Sequence, residues 1–238
     1  MQQFNCMPEY SHIDSWQNRL VTINTPMGSG KSQFIKNELY NYAAKHGQKI
    51  LFLVHRINCK EQFQHDIQGK EDVITIETYQ KIQAENKSYL QSNYNFKPYD
   101  YIVCDEMHYF LTDATFNYTT DLSLFSILEQ LKCGKTVIMS SATGNEIMCY
   151  LLDELNLDVI DYHMEPDYSF IERLTFWKLD NTLETYIEKV ISSGEKAIFF
   201  IQSATKGFDL YQKYRAYTLF NCSKSNKLYK YVDKAAIK

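Results

Sequence analysis

The stretch Thr25-Pro26-Met27-Gly28-Ser29-Gly30-Lys31-Ser32 decides how this chain folds. It follows an apolar β-type run, Leu20-Val21-Thr22-Ile23, and leads into a helix-like pattern from Gln33 to about Lys45. Strand, glycine loop and helix, in that order, are what a phosphate-binding loop needs. Gly28 and Gly30 permit backbone angles and close approaches that a Cβ would block. Successive N–H groups then face an anion at a helix N-terminus, where the helix dipole also favours negative charge. In that arrangement Lys31 reaches the β and γ phosphates of a nucleotide and the Ser32 hydroxyl holds Mg²⁺. Thr25 stands where the pattern G-x-x-x-x-G-K-[ST] has glycine, which weakens the match to small GTPases and nucleotide kinases. The plain alternative is a glycine turn followed by a solvated lysine.

Outward from the loop, strands and helices alternate. Lys49–Val54 is a nearly continuous apolar run, suited to a strand buried on both faces of a parallel sheet. His55-Arg56 opens a helix over about Asn58–Ile67, and Asp72–Ile76 is a third strand ending in Glu77-Thr78-Tyr79-Gln80. A polar stretch from about Glu85 to Lys97 reads as helix end and loop. Tyr101–Cys104 is a fourth strand that delivers Asp105-Glu106-Met107-His108 at its C-terminal end. Asp121–Lys132 reads as an amphipathic helix with Leu122, Phe125, Leu128 and Leu131 on one stripe. Lys135–Met139 is a fifth strand ending in Ser140-Ser141-Ala142-Thr143-Gly144, followed by a helix (about Glu146–Leu155) and a short strand (Asp158–Tyr162). Met1–Asn18 shows no strong periodicity and reads as a lead-in arm, in which Trp16 packs near the nucleotide or caps the core. This alternation predicts an α/β fold with a parallel sheet covered by helices on both faces.

The rhythm breaks around His163–Ser169, which separates a first domain (1–165) from a second α/β unit (170–238). The second alternation is strand Leu174–Leu179, helix Thr182–Ser192, strand Lys196–Ile201, helix Ala204–Tyr214 and strand Tyr217–Asn221.

A length of 238 residues, 45% hydrophobic and 23% charged, suits a buried core and argues against disorder. Net charge is −4, so no global basic field points to nucleic acid, although a local basic groove is compatible with it. The six cysteines form no C-x-x-C and no Cys/His cluster with zinc spacing. With no secretory signal and no apolar run long enough to span a bilayer, the expectation is a cytoplasmic protein without a membrane partner. The nineteen tyrosines read mainly as partly buried amphipathic side chains.

Ligands of open α/β sheets bind outside the carboxyl ends of the strands. The glycine loop, Asp105–His108 and Ser141–Thr143 should therefore converge on one sheet edge. Asp105 after an apolar strand suits Mg²⁺, held directly or through water, and Glu106 can orient or deprotonate an attacking water. Read alone, Asp105-Glu106 is equally a solvated strand end.

Together these pieces resemble the first motor domain of a superfamily 2 (DEAD/DEAH-like) helicase or translocase. TPMGSGKS resembles motif I, HRINCKEQF motif Ia, and Thr78-Tyr79-Gln80 the nucleic-acid-contacting segment that follows. DEMH resembles the D-E-x-H form of motif II and Ser141-Ala142-Thr143 motif III. The resemblance covers about residues 19–165, and Lys196–Gln202 is a weaker match to motif IV. It implies a RecA-like P-loop domain that binds and hydrolyses ATP with Mg²⁺. The loop Thr25, Pro26, Met27, Gly28, Ser29, Gly30, Lys31 and Ser32 would cradle the nucleotide, with Ser32 and Asp105 holding the metal and Glu106 as catalytic base. His108, Ser141 and Thr143 would couple nucleotide state to the neighbouring domain and strand, and Arg56 and Thr78 would contact the nucleic-acid backbone, DNA in preference to RNA. Alone, His108 is an ordinary strand-end histidine, Ser-Ala-Thr a common tripeptide, and Arg56 a helix-starting arginine that meets a carboxylate or water. The segment PMGSGKS also resembles viral and phage origin-binding replication helicases.

The departures carry expectations too. Motifs V and VI of such motors, including the arginine finger, have no counterpart, because only Arg19, Arg56, Arg173 and Arg215 occur and none sits in such a pattern. A finger of that kind contributes several orders of magnitude in rate. The expectation is ATP binding with weak turnover by this chain alone, and a second motor domain truncated or completed by another chain. The rival readings are a non-motor ATP-binding switch or assembly module acting in nucleic-acid replication, and a small phosphotransferase. Four scattered arginines make the second poor.

Overall fold

The computed structural model describes residues 1–85, 94–114, 120–167, 169, 180–223 and 226–232. Contacts divide the chain into two compact units, Met1–Tyr168 and Ser169–Lys238. The first is built on seven strands: β1 (Gln2–Phe4), β2 (Leu20–Asn24), β3 (Ile50–Val54), β4 (Ile74–Thr78), β5 (Tyr101–Asp105), β6 (Thr136–Ser141) and β7 (Val159–His163). Their order across the sheet is β1-β7-β2-β6-β5-β3-β4, and every pairing is parallel. The expected α/β fold with an all-parallel sheet is what forms, and its architecture is consistent with a RecA-like domain.

The strands are buried on both faces, as their continuous apolar runs dictate. Val21, Ile23, Phe52, Val103, Ile138 and Ile160 point to one core, under the helix that follows the glycine loop. Leu20, Leu51, Leu53, Ile102, Cys104, Val137 and Met139 point to the other. The first core is covered by α1 (Lys31–Phe34), a π-helical segment (Ile35–Leu39), α2 (Tyr40–Lys45) and α3 (Ile57–Asp66). The second lies under α4 (Tyr79–Glu85), α5 (Tyr109–Thr112), α6 (Thr120–Lys132) and α7 (Asn145–Cys149).

Three expectations change. The lead-in arm is not irregular: Gln2–Phe4 adds a strand beside β7, and Tyr10–Trp16 forms a 3₁₀ helix. Trp16 is fully buried and donates Nε1–H to the Tyr162 hydroxyl at 3.0 Å, so it belongs to the core. On α6 Leu122 and Leu128 of the expected stripe are buried, together with Leu124 and Ile127, and Leu131 is partly buried; Phe125 departs, at 38% exposed. Leu124, Ile127 and Leu128 lie in one core cluster on this helix, and Phe125 is turned off that face.

Unit two contains α8 (Asp180–Ser193), α9 (Ala204–Lys213) and a 3₁₀ turn (Lys227–Tyr231). Among its described residues no strand forms: Lys196–Ile201 and Tyr217–Asn221 join no ladder, and Leu174–Leu179 lies outside the described residues. Ile198 and Phe200 are 83% and 95% exposed there, since an apolar run becomes a strand only when another strand takes its backbone groups. No helix among the described residues is long and apolar enough to cross a membrane.

Candidate functional site

The glycine loop leaves β2 at the centre of the sheet, between β6 and β7. Chain direction diverges there: β3, β4 and β5 lie to one side and β1 and β7 to the other. Crevices at such points are where α/β sheets bind ligands. Gly28 (φ +80°) and Gly30 (φ +100°) take left-handed backbone, and a Cβ at either would meet nothing within 4 Å. The space over the loop is open and the glycines are required by conformation. Phe34 N–H donates to the Gly30 carbonyl at 2.8 Å, which starts the helix directly behind the loop.

Thr25, in the place where the sequence pattern has glycine, is buried. Its hydroxyl lies 2.7 Å from Ser29 Oγ and 3.2 Å from Met7 Sδ, and its N–H donates to the Ser141 carbonyl at 3.2 Å. The threonine therefore ties the loop base to β6 and to the N-terminal arm. Lys31 curls its ammonium onto the carbonyls of Thr25 (2.6 Å) and Pro26 (2.9 Å). Met27 and Gly28 stand exposed at the loop tip, while Ser29, Gly30 and Ser32 are half-buried.

Strand registers bring the other clusters to the same edge. Asp105 pairs with Ser140, and Asn24 with Ser141. Ser140 Oγ donates to Asp105 Oδ1 at 3.1 Å, and the Met107 N–H donates to the Ser140 carbonyl at 2.9 Å. His108 Nδ1 lies 3.0 Å from Ser141 Oγ, 3.4 Å from Thr143 Oγ1 and 3.2 Å from Glu106 Oε2. The Thr143 N–H donates to Ser141 Oγ at 3.1 Å. DEMH and the Ser-Ala-Thr segment thus share one hydrogen-bonded cluster.

Charge ties this cluster to the glycine loop. Burial pushes the Lys31 ammonium below its ordinary value, while the nearby Glu106 and Asp105 carboxylates pull it back up. Burial raises the Asp105 carboxyl, helped by repulsion from Glu106 and opposed by the Ser140 bond and by Lys31. A buried carboxylate crowded by a second one is a site where a hard cation relieves both, so the donor chemistry at Asp105 and Glu106 fits Mg²⁺. Among the described residues, no group of three His, Cys, Asp or Glu side chains is placed to hold a metal ion.

Arg56 and Thr78 follow β3 and end β4, at the carboxyl edge but across β6 and β5 from the loop. Arg56 is exposed as the N-cap of α3, and Thr78 is half-buried. Neither touches the Lys31–Glu106 cluster; they occupy the outer half of the same edge.

Several residues were not legible beforehand. Asn24 is 5% exposed; its Oδ1 accepts from the Gly144 N–H at 3.2 Å and its Nδ2 donates to Asn145 Oδ1 at 2.5 Å, holding the segment after Thr143 against β2. Ser140 and Tyr109 join the cluster through contacts that no sequence spacing displays. A cleft of about 480 Å³ opens beside it, walled by Asn24, Pro26, His108, Thr143, Glu146 and His163.

An α/β domain with a glycine loop at the switch point of a parallel sheet is the class that fold and site define. No protein-family model matches this chain, and no curated protein matches it in sequence. Among solved structures, the DUF1998 helicase MrfA is similar in fold, with a TM-score of 0.59 and 13% identity over 87% of this chain. The chain spans 37% of the length of that helicase.

Proposed function

We propose that this chain is the ATP-binding and Mg²⁺-dependent ATP-hydrolysing part of a superfamily 2 type nucleic-acid motor. The observation that carries the reading is the convergence of Lys31, Asp105 and Glu106 in one electrostatic cluster below an open glycine loop. In this reading the N–H groups of residues 28–32 and the Lys31 ammonium bind the β and γ phosphates. Lys31 exchanges the Thr25 and Pro26 carbonyls for phosphate oxygens, a stronger charge-assisted contact. Ser32 and Asp105 would hold Mg²⁺, which would supply charge neutralisation on the phosphate oxygens. Glu106 orients the attacking water and accepts its proton. His108, held by Ser141 and Thr143, senses that carboxylate and passes its state to the segment after β6.

Arg56 and Thr78 serve as backbone contacts for a nucleic-acid strand, DNA in this proposal, along the outer half of the sheet edge. The solved helicase of similar fold supports the general class. Arg19 cannot serve as a finger, because it is bonded to Asp158 at 3.0 Å at the opposite edge of the sheet. In this reading turnover by this chain alone is slow, because none of its four arginines sits in an arginine-finger pattern. The test is ATP hydrolysis by the purified chain with and without single-stranded DNA. DNA-stimulated hydrolysis that Lys31→Ala abolishes and Glu106→Gln lowers by about 10²–10⁴-fold supports the motor. ATP binding that alters DNA affinity without any turnover favours a non-motor switch instead.

A further inference from the structure

Glu106 has a backbone conformation that its side chain does not favour. Its φ is +55°, and among the described residues the other non-glycine positions with positive φ are Asn18 and Asn156, a type that tolerates it. A strained residue of this kind persists only where its surroundings over-determine it. Two of the restraints come from the ladder and the following turn: Met107 N–H on the Ser140 carbonyl (2.9 Å) and Tyr109 N–H on the Glu106 carbonyl (2.9 Å). The third comes from elsewhere in the chain. Tyr79, fully buried at the start of α4, donates its hydroxyl proton to the Asp105 carbonyl at 2.8 Å. That carbonyl belongs to the peptide plane joining Asp105 to Glu106, beyond the last β3 register pair, Leu53 with Cys104.

The phenol is itself fixed. Its ring stacks on Tyr109 (4.8 Å between centroids, 8° between planes) and meets Phe110 edge-on at 5.0 Å. Tyr109 in turn packs on His55 at 4.5 Å, and Gln80 Nε2 donates to the His55 carbonyl at 3.1 Å. The outer half of the sheet edge, with Arg56 and Thr78, is thus connected through aromatic contacts and one hydroxyl to the peptide carrying Glu106. We infer that Tyr79 is a positioning residue for Glu106: its hydroxyl holds the 105–106 peptide so that the Glu106 carboxylate stays beside His108. The catalytic consequence rests on the reading of Glu106 as the base of ATP hydrolysis.

Tyr79→Phe tests this, since it keeps the ring, the stack and the core volume and removes one oxygen. Two measurements on the full chain decide. Hydrogen exchange at the amides of Glu106–Tyr109, without nucleotide, becomes faster in Tyr79→Phe; unchanged exchange refutes the claim that the hydroxyl restrains this peptide. DNA-stimulated ATP turnover falls about tenfold in kcat, a partial loss of a general-base contribution, with KM within about twofold. In a Glu106→Gln background, the same substitution leaves the residual single-turnover rate unchanged, because the residue it positions is already disabled. An equal loss in both backgrounds, or none in the parent, overturns the positioning role. A parent chain without any turnover instead refutes the hydrolase reading, and the exchange measurement still decides what the hydroxyl holds.

Discussion

The left-handed backbone at Glu106 gives a stability prediction independent of any assay of activity. An L-residue in the left-handed region is disfavoured by about 1–2 kcal/mol, and glycine is spared this. Glycine also gives the unfolded chain about 0.5–1 kcal/mol of extra freedom, which offsets part of the gain. Replacing Glu106 by Gly or by Ala removes the same contact, the half-exposed carboxylate 3.2 Å from His108, so that loss cancels in the comparison. At φ +55° the balance leaves Glu106→Gly more stable than Glu106→Ala by about 0.5–1 kcal/mol. For a unit the size of Met1–Tyr168, that separates the two melting temperatures by about 1–4 °C. Glu106→Asn falls between them, because asparagine tolerates the same region. Urea unfolding followed by Trp16 fluorescence in a Trp177→Phe background measures the series. Trp16 is buried in the core of this unit and reports its loss. An alanine variant equal to or above the glycine variant refutes the strained peptide, and with it the restraint assigned to Tyr79. All three variants should bind ATP and lose about 10²–10⁴-fold in turnover, the range of a general base.

Three further substitutions probe how the edge is held. Burial pulls the Glu77 carboxyl up, but bonds from Lys60 (2.7 Å) and Lys81 prevail and hold it below the usual carboxylate range. The folded state therefore favours the ionised form: Glu77→Gln should lose about 1–2 kcal/mol at pH 7. That difference should shrink to nothing as pH falls through the lowered folded value, as read by chemical unfolding at several pH values. A Cβ on Gly144 would lie 2.0 Å from Met107 Cε and 3.2 Å from Ser141 Cβ, so Gly144→Ala should be destabilised by about 1–3 kcal/mol in thermal unfolding. Thr22 Oγ1 donates to the buried Asp161 at 2.6 Å; Thr22→Val leaves that carboxylate short of a donor and should lose about 1.5–3 kcal/mol in urea.

The central sheet was legible because its strands are apolar on both faces, a pattern that few other structures produce. The glycine loop was legible because left-handed angles at residues 28 and 30 restrict the residue type. The β1 strand was not, since three residues, Gln2–Phe4, carry no period; only the β7 edge makes them a strand. Phe125 misled because an apolar i, i+3 spacing marks a stripe, and only the packing around the helix decides which of its positions are covered. Of the site, the charged and glycine positions could be read from their order along the chain. Asn24, Ser140 and Tyr109 could not, because each acts through a partner more than 25 residues away or through a ring contact that no local spacing encodes. The strand expectations for Lys196–Ile201 and Tyr217–Asn221 rested on apolar content alone. Backbone pairing is a property of two segments, and composition specifies one.

The most direct test of the account is Mg²⁺-dependent ATP binding by the full chain, measured by titration calorimetry. The parent should bind ATP with Mg²⁺ present. Lys31→Ala should lose at least about tenfold in affinity, equal to about 1.4 kcal/mol. Asp105→Asn should retain nucleotide contact but lose the Mg²⁺ dependence. Equal affinity in the parent and Lys31→Ala would contradict the nucleotide site at Thr25–Ser32, and the motor reading with it.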